Sequence, residues 1–277
     1  MELRTLRYFV AVAEELHFGR AARRLHMSQP PLSRAIKLLE TDLGTALFRR
    51  SPAGVALTGA GETLLHEARA LLDHADQVRA KVTKSVLTVG VLGDHGAARI
   101  AQEFRRKHPG VEIVVRETDL TDPTCGLRAH QVDVALTRGP FDRTGLRTRV
   151  LRTDPVGAVL RADDPLAQEE RITTADLDGR DWFQFPDGTD EIWRSYWNGG
   201  RPRRGPTVRA VQECVQSVLW NGSVGLAPLG HDLGDELRVV PIDDMAPSPV
   251  VVAWRDDDPL TRDFVEAATQ VVWTETA

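Results

Sequence analysis

At 277 residues and 42% hydrophobic, the chain can fill two or three domains with packed cores, which excludes wholesale disorder. No run approaches the roughly 18 apolar residues a membrane span needs, and the opening MELRTLRYFVAVAEELHF is amphipathic, broken by Glu14 and Glu15, unlike a signal peptide. The net charge of −5 hides a split: residues 1–58 hold nine Arg/Lys against five Asp/Glu, and residues 59–277 hold 26 against 35, so only the first segment suits a polyanion.

The first 58 residues read as three helices and a hairpin. Leu3, Leu6, Phe9, Val10 and Ala13 share one helical face. A short helix over about 19–25 buries Ala21, Ala22 and Leu25, and His26-Met27-Ser28 forms a turn. A third helix buries Leu32, Ala35, Ile36 and Leu39, which leaves Pro30, Ser33, Arg34, Lys37 and Thr41 facing outward. This is a helix-turn-helix pattern with a basic outer face. Proline loses little in a first helical turn, so Gln29 is the expected N-cap, with Pro30 and Pro31 stiffening the helix start. If Ser28 capped instead, its hydroxyl would meet two prolines without N–H groups. Either way that hydroxyl stays free for a phosphate oxygen. Phe48, Arg49 and Arg50 then lead a Ser-Pro-Ala-Gly turn that returns through residues 55–58, a two-stranded wing. Arg49 and Arg50 on such a hairpin reach phosphate backbone or minor groove.

The run FGRAARRLHMSQPPLSRAIKLLETDLGTALFRR, followed by LTGAGE, resembles the winged helix-turn-helix of LysR-type transcriptional regulators over residues 1 to about 64. The resemblance implies operator-DNA contacts from Ser28, Gln29, Pro30, Ser33, Arg34 and Lys37, with Pro31 beside them. It also implies a cytoplasmic homodimer or dimer of dimers, with RNA polymerase as a further partner.

Thr58 suits the cap of a helix running to about Lys84, about 39 Å long. Leu64, Ala68, Leu71, Ala75, Val78 and Val82 repeat at 4-3-4-3-4, a heptad seam that asks for a partner helix. The family resemblance implies that this helix dimerises, which would match a two-fold operator.

From Ser85 the pattern alternates strand and helix, which argues for a parallel sheet flanked by helices. Strands are expected at 87–92, 111–117, 133–139, 147–152, 155–161, 182–185, 207–211, 223–229 and 249–254. Helices are expected at 95–107, near 123–129 and from Leu260 to about Trp273. HPGVEIVVRE, VDVALTRG and SVGLAP resemble the LysR-type effector domain, which implies a periplasmic-binding-protein-like fold of two subdomains. The expected organisation is α+β multidomain: a winged head at 1–58, a linker helix at 59–85, and an α/β effector domain at 86–277. Its first subdomain spans about 86–160 and 249–277, and its second about 161–248, with chain crossings near Leu160 and Pro247–Pro249.

Strand ends should face a cleft that binds a small-molecule effector. The candidates are Gly93, Asp94, His95, Thr137 and Arg138, faced by Pro186, Asp187, Thr189 and Gln212. Many family members carry Ser or Thr after the first strand to hold a carboxylate. Asp94 and His95 stand there instead, so a cationic or hydrogen-bonding ligand, or none, fits better; Asp94 can equally cap a helix. Trp193 and Trp197, four apart, suit core packing or an aromatic cleft wall. Arg201-Pro202-Arg203-Arg204 reads as a surface loop, and His231 with its acidic neighbours as a solvated one. Cys125 and Cys214 suit small core thiols in a reducing compartment. No phosphate-binding loop, catalytic-serine elbow or zinc motif occurs, so no cofactor, metal or catalytic residue is expected. An assembly role for the head, or an enzyme built on the α/β half, are the rival classes. Salt-sensitive DNA binding separates the first from a regulator, and no catalytic constellation supports the second.

Overall fold

The computed structural model describes residues 2–51, 54–83, 85–93, 97–231 and 233–271, in two units that meet at Lys84/Ser85. The first unit contains α1 (Leu3–Glu15), α2 (Phe18–Arg24), α3 (Gln29–Leu43), the hairpin β1 (Phe48–Ser51) and β2 (Gly54–Leu57), and α4 (Gly59–Thr83). Leu6, Phe9, Val12, Ala21, Leu32 and Ile36 close its core, and Phe48 packs 5.4 Å from Phe9 and 5.8 Å from Phe18, ring to ring. Each of these side chains larger than alanine contributes about 1.5–3 kcal/mol by leaving water. Leu3, expected on this face, is exposed, because the helix begins at that residue and Leu6 is the first to reach the core.

Connections are fixed by local capping. Leu16 ends α1 in the left-handed region, and the Nδ1 of His17 then accepts the Gly19 and Arg20 amides at the start of α2. Thr58 caps α4 by accepting the Gly61 amide, while its own hydroxyl donates to the Ala46 carbonyl. Gly61 is glycine for a steric reason: a Cβ there would meet the Leu47 carbonyl oxygen at 2.2 Å.

The second unit runs β3 (Val86–Val91), α5 (Ala97–Lys107), β4 (Glu112–Glu117), β5 (Val134–Arg138), β6 (Arg147–Asp154), β7 (Val156–Arg161), α6 (Glu191–Trp197), α7 (Val211–Asn221), β8 (Gly225–Pro228), β9 (Leu237–Pro241), β10 (Ser248–Trp254) and α8 (Pro259–Gln270). Two sheets result, ordered β4-β3-β5-β10-β6 and β8-β7-β9. The expected parallel sheet is only partly found. β3 pairs parallel with β4 and β5, but β10 runs antiparallel between β5 and β6, and the second sheet is antiparallel throughout. No described helix is long and apolar enough to cross a membrane.

Several expected elements differ. The first crossing lies at Pro155, not near Leu160: β6 ends at Asp154 and β7 already belongs to the second sheet. Proline has no N–H to continue the ladder, so the strand breaks there. Residues 123–129 form turns, not a helix. The Asp122 carboxylate takes the Thr124 and Gly126 amides, and Cys125 adopts a φ of 53°. Residues 182–185 and 207–211 make isolated bridges rather than strands, and Val211 begins α7. The final helix ends at Gln270; Trp273 lies outside the described residues.

Candidate nucleic-acid interface and ligand cavity

The N-cap of α3 is Ser28, not Gln29, with the prolines in the first turn. Its side chain makes no capping hydrogen bond, because the two amides it would reach belong to Pro30 and Pro31. Ser28, Gln29, Pro30, Pro31, Arg34 and Lys37 are exposed, and Ser33 is half-buried. Beneath them Leu32, Ile36 and Leu39 are buried, so the outward face is set by the core contacts of the opposite one.

Ion pairing sorts the bases of this unit. Arg24 and Arg69 share Glu14, Arg20 pairs with Glu15, and Arg7 pairs with Asp76. Arg34 and Lys37 have no ion pair among the described residues, so their charge is unneutralised. In the wing, Arg49 is exposed, while the side chain of Arg50 lies outside the described ones. Glu40, which sequence reasoning passed over, fixes the wing to α3: one carboxylate oxygen accepts the Leu47 amide at 2.8 Å and the Phe48 amide at 3.2 Å.

The seam of α4 divides. Ala68 is fully buried and Leu64 half-buried in the head's own core, so these two face α1 rather than a partner helix. The Arg7–Asp76 and Arg69–Glu14 bridges hold α4 to α1 in that orientation. Leu71 and Val78 are exposed and Ala75 half-buried; the side chain of Val82 lies outside the described ones.

In the second unit a cavity of about 110 Å³ opens between the two sheets. Phe183, Phe185, Trp193 and Trp197 form an aromatic wall, completed by Leu92, Leu120, Leu226 and the α7 residues Val211, Cys214, Val215 and Val218. Arg138 and His231 are its charged or titratable members among the described residues, apart from the thiol of Cys214. Burial pushes that thiol up to about 12, leaving it protonated and unreactive. Arg138 is nearly buried and donates to Asp154 at 2.7 Å and to the Ser248 carbonyl at 3.4 Å. His231 sits at the rim; lost hydration and then the charge of Arg138 hold its pKa below the usual imidazole range.

Of the expected cleft residues, Gly93 and Arg138 line this cavity. Thr137 does not: successive strand residues point to opposite faces, and its buried hydroxyl donates to the Pro123 carbonyl. Thr189 is buried beside a separate groove with Arg128, Asp142 and Asp190. Asp187 is fully exposed, Gln212 is exposed and Pro186 half-buried, and none of these three lines the cavity. Asp94 and His95 lie outside the described residues. Trp193 and Trp197 take the aromatic-wall alternative raised from their i,i+4 spacing, but Phe183, Phe185 and the α7 face were missed, although Val211, Val215 and Val218 at i,i+4,i+7 carried the signal. Arg203, expected in a surface loop, instead lies 4.4 Å over the Trp182 ring. No cluster of metal-binding side chains occurs among the described residues.

Comparison with known proteins resolves the family. Residues 3–62 match the bacterial regulatory helix-turn-helix of the lysR family, and residues 82–273, more than half the chain, match the LysR substrate binding domain. The chain belongs to the LysR family. The hca operon transcriptional activator HcaR of Escherichia coli (strain K12) is 33% identical across the full length of both proteins. The regulator AlsR of Bacillus subtilis (strain 168) is 38% identical over 186 residues; that match takes in 64% of this chain and 62% of AlsR. Likewise 63% of YnfL of Escherichia coli is spanned, so the chain matches less than two thirds of these two relatives' length. The LysR architecture is repeated in solved structures. CbnR superposes with a TM-score of 0.67 at 24% identity, covering 97% of this chain and 98% of that one. Full-length BenM gives 0.55 at 27%, covering 98% and 96%.

Proposed function

We propose that this LysR-type regulator reads a two-fold operator through α3 and answers to a small molecule held in the cavity of its second unit. Arg34 and Lys37 enter the major groove, while Ser28, Arg49 and Arg50 set the head on phosphates. The observation that carries this reading is the outward face of α3. Its two bases lack acidic partners among the described residues and its first-turn hydroxyl caps nothing, whereas Arg7, Arg20 and Arg24 are paired with carboxylates.

The working organisation is a head at 1–58, a linker helix at 59–85 and an effector domain at 86–277. Leu71, Ala75 and Val78, with Val82, form the dimer seam, and two heads on one axis then meet two half-sites. Its place of action is the cytoplasm, with RNA polymerase as a further partner. The solved complex of full-length CbnR with its target DNA supports the mode of action by fold alone.

The test is fluorescence anisotropy with the duplex upstream of the coding region and with a scrambled duplex. Tighter binding to the first, weakening steeply as salt rises, is expected. Equal, salt-insensitive binding to both would dismiss the reading.

A further inference from the structure

We propose that the turn between α2 and α3 grips the DNA backbone: Arg23 and His26, with the uncapped hydroxyl of Ser28, hold a phosphate at the edge of the groove that α3 enters. The inference rests on reading α3 as the DNA-contacting helix.

The turn itself places these side chains. α2 ends at Arg24 and α3 starts at Gln29. Backbone hydrogen bonds close the reversal: the His26 amide donates to the Arg23 carbonyl at 3.0 Å, and the Met27 amide to the Ala22 carbonyl at 2.9 Å. Leu25 and Met27 are half-buried against the head's core, whereas His26 between them and Ser28 after them are exposed. The imidazole has no hydrogen-bond or ion-pair partner among the described residues. Consecutive Cα atoms lie about 3.8 Å apart, so His26 and Ser28 are within about 8 Å of each other, a span that one phosphate group bridges.

His26 also sits where the backbone favours glycine. Its φ is 53°, in the left-handed region. Histidine tolerates that region better than most side chains, but glycine occupies it at no steric cost. The fold therefore does not require an imidazole at this turn, and a ring held outward on a strained backbone points to a use beyond the fold.

Charge sorting adds Arg23. Of the three arginines of α2, Arg20 pairs with Glu15 and Arg24 with Glu14, both at the end of α1. Arg23 is exposed and has no ion pair among the described residues. Between Glu15 and Glu40 the sequence holds five Arg/Lys and no Asp or Glu, so nothing along that stretch repels a phosphate. Phosphates are commonly held on the free amides of a helix N-terminus, but Pro30 and Pro31 remove two of those amides from the first turn of α3. Donors at this end of the helix must then come from side chains. A neutral imidazole gives one N–H and a hydroxyl gives its own, while the guanidinium adds charge.

The test uses the full-length protein and three variants, His26→Gly, His26→Asn and Arg23→Ala. Each is titrated by fluorescence anisotropy onto the operator and scrambled duplexes across a salt series, with thermal denaturation alongside. His26→Gly should keep or raise the melting temperature while weakening binding to both duplexes by a similar factor, about three- to tenfold. A residue needed only for the turn would not separate the two readouts in that way. His26→Asn, which tolerates the left-handed region and keeps an N–H donor, should hold most of the affinity. Arg23→Ala should weaken binding to both duplexes alike and lower the salt slope by about one. Its result is read independently of the turn, because Arg23 is an exposed helix side chain. Unchanged DNA affinity in His26→Gly or in Arg23→Ala would overturn the grip and leave the reading of α3 intact. A loss confined to the operator would assign these residues to base reading and overturn it equally. A lowered melting temperature in His26→Gly would show that the fold needs the ring, against the strain argument. If the wild-type protein binds neither duplex in a salt-sensitive manner, the reading of α3 fails and this inference with it.

Discussion

Arg138 donates to Asp154 across 2.7 Å and so ties the last residue of β5 to the last residue of β6. Asp154 stands one residue before the first chain crossing, and its register partner Ser248, whose carbonyl also accepts from Arg138, opens the strand after the second. One guanidinium therefore braces both crossings while forming part of the cavity wall.

Replacing it should be costly. Arg138→Met leaves a partly buried carboxylate facing only Arg152 and should lower stability by about 3 kcal/mol, measured by chemical denaturation. Acid sensitivity should change as well. Burial opposes ionisation of Asp154, but Arg138 and then Arg152 outweigh it and hold the carboxyl below its ordinary value of 3.8. That contribution is complete above the unfolded pKa and is lost as pH falls through the folded one. In Arg138→Met this acid-linked loss should shrink.

Glu40 supports the wing. Glu40→Ala should cost about 1–2 kcal/mol by orphaning the Leu47 and Phe48 amides, whereas Glu40→Gln, which keeps an acceptor, should cost less. Thermal denaturation of the two variants makes the comparison. Equal losses would mean that charge, not the acceptor, matters there.

The divided seam of α4 makes a paired prediction. Under the proposed pairing of α4 with a second copy, Leu71→Glu should give a monomer in sedimentation velocity and keep the helical circular dichroism, because Leu71 is 45% exposed within one chain. Ala68→Glu should unfold the head instead, since it buries a carboxylate in a closed core.

Arg49→Ala should weaken binding to operator and scrambled duplexes by similar factors and reduce the salt slope by about one, as expected of a phosphate contact. A loss confined to the operator would reassign Arg49 to base reading.

How much of this was legible beforehand depended on the range of the signal. The head was readable because its determinants are local: Leu32, Ile36 and Leu39 recur with helical period, and two prolines mark a helix start. The cap shifted from Gln29 to Ser28, and Leu3 fell outside the core. At Leu64 and Ala68 the α4 seam misled, because a heptad pattern shows that a stripe is buried, not by which helix, and these two join the head's own core. Thr137 and Arg138 were taken together as cleft residues, although strand alternation separates them. The aromatic wall needed tertiary knowledge, since Phe183, Trp193 and Val218 converge from a bridge and two helices far apart in sequence. Likewise nothing local to Arg203 signals that it stacks on Trp182.

The central claim is that the exposed bases of α3 read sequence, and Arg34→Ala tests it most directly. Affinities of the wild-type and variant proteins for operator and scrambled duplexes should be measured at one salt concentration. The account predicts that the variant loses on the order of 1–3 kcal/mol on the operator and much less on the scrambled duplex, so the ratio between them collapses. An unchanged ratio would contradict it.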